Sequence, residues 1–148
     1  MQIPENVNFL EKNALIGAWR LLVFDGEEQA TGIRKPMFGA RPNGRLVFLP
    51  EGFMMALLTA ESRPWPTADA DRIASFNTSI GYSGRYTVEN GRFVTQVDMS
   101  LNEAWVGTLQ ARTYRVDGTR LYVVSDWAPS PFDPNMVWRG VLEWERET

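Results

Sequence analysis

Between Gly81 and Ser100 the chain reads GYSGRYTVENGRFVTQVDMS. Two runs rich in Tyr, Val, Thr and Phe flank Asn90-Gly91, a dipeptide that supplies the positive φ angles of a tight hairpin turn. With a two-residue loop, Glu89 pairs with Arg92, Tyr86 with Thr95 and Tyr82 with Met99. Side chains alternate between the faces of a strand. One face then carries Ser83, Arg85, Thr87, Gln96, Asp98 and Ser100, and is predicted to meet solvent. The other carries Tyr82, Gly84, Tyr86, Thr95, Val97 and Met99, and is predicted to point inward.

Turn signals recur at short intervals on both sides of this hairpin. Pro42-Asn43-Gly44 precedes Arg45–Leu49, and Pro50-Glu51-Gly52 separates it from Phe53–Thr59. Asp117-Gly118 joins Trp105–Val116 to Thr119–Asp126. With Leu15–Phe24 and Met136–Arg146 this predicts about eight strands, the number at which a closed up-and-down antiparallel β-barrel holds one small ligand. The predicted fold class is thus all-β, with one interruption. Thr67 suits an N-cap, Asp69 and Asp71 suit a first turn, and Ala70, Ile73, Ala74 and Phe76 form an apolar face. A short helix is expected over Ala68–Phe76, closing one end of the barrel.

At 148 residues, 44% of them hydrophobic, the chain suits a single domain over 1–148 with a substantial core. Six Trp, eight Phe and four Tyr are rich for this length; such a surplus often lines a ligand cavity, and for any single one plain core filling is the equal alternative. The formal charge of −3 offers no basic footprint for nucleic acid or an anionic membrane. The absence of Cys excludes disulfides, zinc–thiolate sites and a cysteine nucleophile. The absence of His removes the usual neutral-pH base, the commonest metal ligand and any Ser-His-Asp triad. No metal or other cofactor is expected. The N-terminal run Met1–Asn6 lacks the basic start of a signal peptide, and Arg20 interrupts the apolar run Ala14–Phe24. A cytoplasmic location without membrane association is the resulting expectation, and Asn77-Thr78-Ser79 is then a coincidental sequon.

The strand from Trp105 has an unusual inner face. Pairing through Asp117-Gly118 sets Arg112 opposite Val123 and Gln110 opposite Ser125, so Thr108, Gln110, Arg112 and Tyr114 share a face with Leu121 and Val123. Gln110 and Arg112 would then project into the barrel. A buried guanidinium needs a carboxylate, several acceptors, water or an anionic ligand. Asp98 falls on the outer face by the same counting. The alternatives are therefore an ion pair with Glu143, Glu145 or another acid, a register shifted by one that turns Arg112 to solvent, or a ligand carboxylate, phenolate, enolate or polarised carbonyl.

Gly17-Ala18-Trp19 resembles the Gly-x-Trp signature of lipocalins. Its context, Leu15–Leu21, is followed by Gly44–Phe48, Gly52–Ala56, Tyr82–Tyr86, Trp105–Arg112 and Leu142–Arg146. Together these resemble the lipocalin-like domain family of small bacterial and fungal proteins, from about Leu15 to Arg146. The resemblance implies a barrel around a small hydrophobic molecule. It also implies that Trp19 packs across the barrel floor against Arg146, with Arg139 as the alternative. Gln110 and Arg112 match the family's Gln-x-Arg positions. Some related barrels stand beside natural-product pathways and guide cyclisation or isomerisation. Family members often carry a His near the position of Thr95, which this chain lacks.

Three functions remain open at this point. The first is a carrier of an aromatic, polyketide- or terpene-like molecule. Its predicted contacts are Met54, Tyr82, Tyr86, Thr95, Val97, Met99, Trp105, Gln110, Arg112 and Tyr114. The second is a cofactor-independent isomerase, cyclase, dehydratase or hydrolase using Arg112 and Gln110, with Tyr86 or Tyr114 as proton donor or acceptor. The third is an interaction module, a homodimer through Phe53, Met55 and Leu57 or through Trp127–Phe132, the latter stretch serving equally well as a mouth loop.

Overall fold

The computed structural model describes residues 11–130 and 133–148. Pro131 and Phe132, which end the expected mouth loop, and the Met1–Asn6 run lie outside the described residues. Residues 11–15 are helical (α1) and lead into β1 (Gly17–Glu28), so the strand begins two residues later than expected and runs four residues further. There follow β2 (Arg34–Pro36), β3 (Asn43–Phe48), β4 (Phe53–Thr59), α2 (Asp69–Asn77), β5 (Ser79–Glu89) and β6 (Arg92–Ser100). A 3-10 turn at Glu103–Trp105 precedes β7 (Leu109–Asp117), β8 (Arg120–Ser125), β9 (Ala128–Pro129) and β10 (Val137–Arg146).

The long strands β1, β3–β8 and β10 each pair with the next in that order, and β10 closes the sheet on β1 from Trp19↔Arg146 to Glu28↔Trp138. The result is a closed eight-stranded antiparallel barrel, to which β2 and β9 add short edge pairings. Closure removes the unpaired edges that an open sheet would leave for aggregation. Among the described residues, no helix is long and apolar enough to cross a membrane.

The Asn90-Gly91 turn forms as its chemistry demands, with φ of 56° and 71°, and sets Tyr86 against Thr95. Further along, the predicted pairing fails. Gly84 pairs with Val97 but Ser83 pairs with Met99, so Asp98 is an extra residue in a β-bulge. The bulge turns Met99 outward, 63% exposed, and sets Ser100 opposite Tyr82. Its cause lies across the two strands: the Asp98 carboxylate accepts a 2.7 Å bond from the Ser83 hydroxyl, and Gly84 packs against the Gln96 carbonyl where no Cβ would fit.

In the next hairpin Arg112 pairs with Ser125 rather than Val123, because the turn residues are Gly118-Thr119 and Asp117 pairs with Arg120. The slip is two residues, an even number, so every side chain keeps its face. The expected strand start at Trp105 is also corrected. Asn102 caps a 3-10 turn there through its side chain, which accepts from Ala104 N–H, and the strand begins at Leu109.

The helix lies one residue later than predicted, with Ala68 rather than Thr67 at its N-cap. One Asp71 oxygen collects the backbone N–H of Thr67 and Ala68 and the Thr67 hydroxyl at 3.0–3.1 Å. The two backbone bonds, reinforced by the hydroxyl, hold its carboxyl below the usual value. No residue of α2 is buried.

The two ends of the barrel differ. At one, α1 and the turns at 49–52, 90–91 and 118–119 seal a packed floor of Leu15, Trp19, Phe48, Tyr86, Phe93 and Leu121. Such side chains contribute about 1.5–3 kcal/mol each on leaving water. Edge-on aromatic contacts order the floor, Phe48 meeting both Tyr86 and Phe93. Arg146 lies 4.1 Å above the Trp19 ring and donates to the Ile16 and Ala14 carbonyls at 2.8 and 2.6 Å. The expected Trp19–Arg146 pair is therefore present, while Arg139 pairs with Glu27 and covers Trp127. The other end, carrying α2 and the 3-10 turn, leaves space inside.

Candidate functional site

That space is a cavity of about 720 Å³. Its wall is mainly apolar: Phe24 of β1, Phe38, Leu58 of β4, Phe93 of β6, and Leu142 and Trp144 of β10. Phe76 of α2, Leu101 and Leu109 line it while remaining 49%, 55% and 69% exposed, which places them at the mouth. Only two charged side chains, Arg112 and Asp126, line it among the described residues.

Arg112 reaches the interior because β7 alternates. Gln110, Arg112 and Tyr114 turn inward while Thr113 and Arg115 face solvent. A chain of hydrogen bonds fixes its orientation. The Thr108 hydroxyl donates to the Trp105 carbonyl at 2.6 Å and accepts from Gln110 Nε2 at 2.9 Å. Gln110 Oε1 then accepts from Arg112 Nη2 at 3.2 Å, while Arg112 Nη1 donates to the Ala111 carbonyl at 2.9 Å. Its partners here are neutral oxygens.

The acids weighed as ion-pair partners are placed elsewhere. Glu145 pairs with Arg20, Glu143 lies between the cavity-lining Leu142 and Trp144 and so alternates to the outer face of β10, and Asp98 is held by Ser83 outside the barrel. Asp126 receives both arms of Arg92 at 3.1 and 3.2 Å. Among the described residues no carboxylate lies within salt-bridge distance of Arg112. Tyr82 adjoins this guanidinium on the cavity wall. Burial raises its hydroxyl pKa above the ordinary value, and the charge and hydrogen bonding of Arg112 oppose that shift.

Of the residues predicted to contact a ligand, Tyr82, Trp105, Gln110 and Arg112 line the cavity together. Tyr82 and Trp105 pack in a tilted contact, 5.2 Å between ring centroids and 59° between planes. Met54, Tyr86, Thr95 and Val97 are buried in the packed wall and floor without lining it. Tyr86 is committed to structure, its hydroxyl donating to the Leu49 carbonyl at 2.8 Å. Tyr114 packs on Phe93 towards the floor, and its buried hydroxyl has no hydrogen-bond partner among the described residues. Burial, helped by the negative charge of Glu11, pushes that hydroxyl up to about 12. Met99 leaves the interior altogether.

The strand alternation that located Arg112 missed the far wall. Phe24, Trp138, Leu142 and Trp144 line the cavity from β1 and β10. Both faces of these two strands are partly apolar, so the pattern carries no sign of which is internal. Ser100 and Leu101 become visible only once the bulge is known.

A closed eight-stranded barrel around an internal cavity defines a class of protein suited to small-molecule binding in general. The family model of the lipocalin-like domain matches residues 16–147, and the chain belongs to that family. A search of curated proteins found no match.

Proposed function

We propose that the protein holds one largely apolar small molecule, aromatic, polyketide- or terpene-like, inside the barrel with its polar end at Arg112. The observation that carries this reading is the cavity itself. Its volume of about 720 Å³ falls in the range of ligand pockets, roughly 300–1,000 Å³, and its apolar wall is broken by one ordered polar cluster. Gln110 positions Arg112 rather than meeting the ligand first, because its amide is already engaged at both ends.

Two measurements test the proposal. Native mass spectrometry of protein from its own host should reveal one retained apolar compound per chain. Titration with the neutral fluorophore N-phenyl-1-naphthylamine should saturate at one site. A protein that neither retains nor binds such molecules refutes the reading.

A second reading draws support from the Tyr82–Arg112 contact. In a cofactor-independent isomerase, cyclase, dehydratase or hydrolase, Arg112 would stabilise a developing oxyanion and Tyr82 would donate or accept a proton. Tyr82 takes the place of Tyr86 here, whose hydroxyl is occupied outside the cavity. Full activity of an Arg112→Ala variant on an identified substrate would eliminate this mechanism.

A further inference from the structure

We propose that the ligand is a monoanion, an apolar molecule ending in one carboxylate that Arg112 holds within the barrel. The inference rests on the binding role above and narrows it to acids. Charge bookkeeping inside the cavity supports it. Asp126 is neutralised by a two-armed bond from Arg92, whereas among the described residues Arg112 meets neutral oxygens alone: the Ala111 carbonyl, the Gln110 amide oxygen and the Tyr82 hydroxyl. One positive charge therefore stands uncompensated in an apolar enclosure, where an unpaired cation is costly and an incoming anion relieves that cost.

The geometry selects a flat anion of one charge. A guanidinium presents paired parallel N–H groups that match a carboxylate, and its five N–H groups exceed what the Ala111 carbonyl, the Gln110 amide and the Tyr82 hydroxyl engage. A phosphate or sulfate dianion would bring a second charge, and the cavity lining has no second cation among the described residues to meet it. Tyr82 supplies a neutral hydroxyl beside the guanidinium, able to donate to the same carboxylate. The hydrogen-bond chain from Trp105 through Thr108 and Gln110 holds the guanidinium in place before the ligand arrives.

Three probes with one hydrophobic body separate charge from apolar affinity: 1-pyrenebutanoic acid, its methyl ester and 1-pyrenebutanol. Each is titrated by fluorescence near neutral pH into the wild-type chain and into Arg112→Gln, Arg112→Lys and Tyr82→Phe variants. The wild type should prefer the acid over ester and alcohol by about tenfold or more. Arg112→Gln should level the three affinities by weakening the acid alone, Arg112→Lys should keep part of the preference, and Tyr82→Phe should lose a smaller part.

Equal binding of all three by the wild type overturns the acid assignment and leaves the binding role standing. An acid preference that survives in Arg112→Gln removes Arg112 as its source. Failure of all three to bind takes down the binding role as well. Thermal melting by circular dichroism checks the fold of each variant, and should Arg112→Gln fail to fold, the wild-type comparison alone decides.

Discussion

Arg112 and Tyr114 occupy the same strand face and both leave polar groups without full compensation, yet the consequences differ. For Arg112 the uncompensated group is a charge beside a cavity, and replacing such a cation by an apolar side chain of similar length is commonly neutral or stabilising. Arg112→Met should therefore keep or raise the urea midpoint of the ligand-free protein, by up to about 1 kcal/mol in unfolding free energy, while losing acid binding. A loss of more than about 2 kcal/mol would mean that the guanidinium is a structural tie rather than a reserved ligand contact. For Tyr114 the group is a buried hydroxyl with no acceptor among the described residues, pushed up to about 12 from the ordinary 10. The folded chain keeps this proton where the unfolded chain has lost it. Its contribution to stability is complete below pH 10 and lost as pH rises through about 12, and Tyr82 and Tyr86 shift in the same direction. Urea titrations at stepped pH should show stability falling over this window. Tyr114→Phe should make the fall shallower and cost little at neutral pH, because the hydroxyl it removes makes no bond.

Strands and turns were legible in proportion to how locally they are determined. Asn90-Gly91 specifies its own turn, so the first hairpin and the Tyr86–Thr95 pair follow from a dipeptide. The Gly118-Thr119 turn was misplaced, but an even slip preserved the inward assignment of Gln110 and Arg112. The bulge at Asp98 was invisible because its determinants lie on two strands: the Ser83 hydroxyl that holds the carboxylate, and the glycine that admits the Gln96 carbonyl. Gly84→Ala tests that account. A Cβ at this position would meet the Gln96 carbonyl oxygen, a backbone atom that cannot swing aside. The substitution should destabilise by about 1–3 kcal/mol or more and increase exchange of the β5–β6 amides. At the closing seam, Arg146 joins three elements by covering Trp19 and donating to two carbonyls near the end of α1. Arg146→Met keeps the aliphatic stem but loses the ring contact and both charged hydrogen bonds. The expected loss is about 2–4 kcal/mol by urea denaturation.

Over the whole molecule the aromatic surplus divides in two, part filling a floor and part lining a chamber. A floor sealed by three turns and α1 gives the barrel its stability, which frees the other half to remain open and to carry α2, none of whose residues is buried. Ala56 stands where the distinction is measurable, on β4 with 4% exposure and its surface on the cavity wall. In a solid barrel an added ring at this position would displace packed atoms and cost about 1–3 kcal/mol or more. In a barrel holding about 720 Å³ of space, the ring of Ala56→Phe enters the chamber instead, and the apolar surface it buries offsets the ordering of its side chain. Its unfolding free energy should thus stay within about 1 kcal/mol of wild type, while affinity for N-phenyl-1-naphthylamine drops by about tenfold or more because ring and ligand compete for one volume. Destabilisation with binding unchanged would show that the chamber is packed in solution and that any ligand sits elsewhere. Stability retained with binding lost would place the ligand inside the barrel before its identity is known.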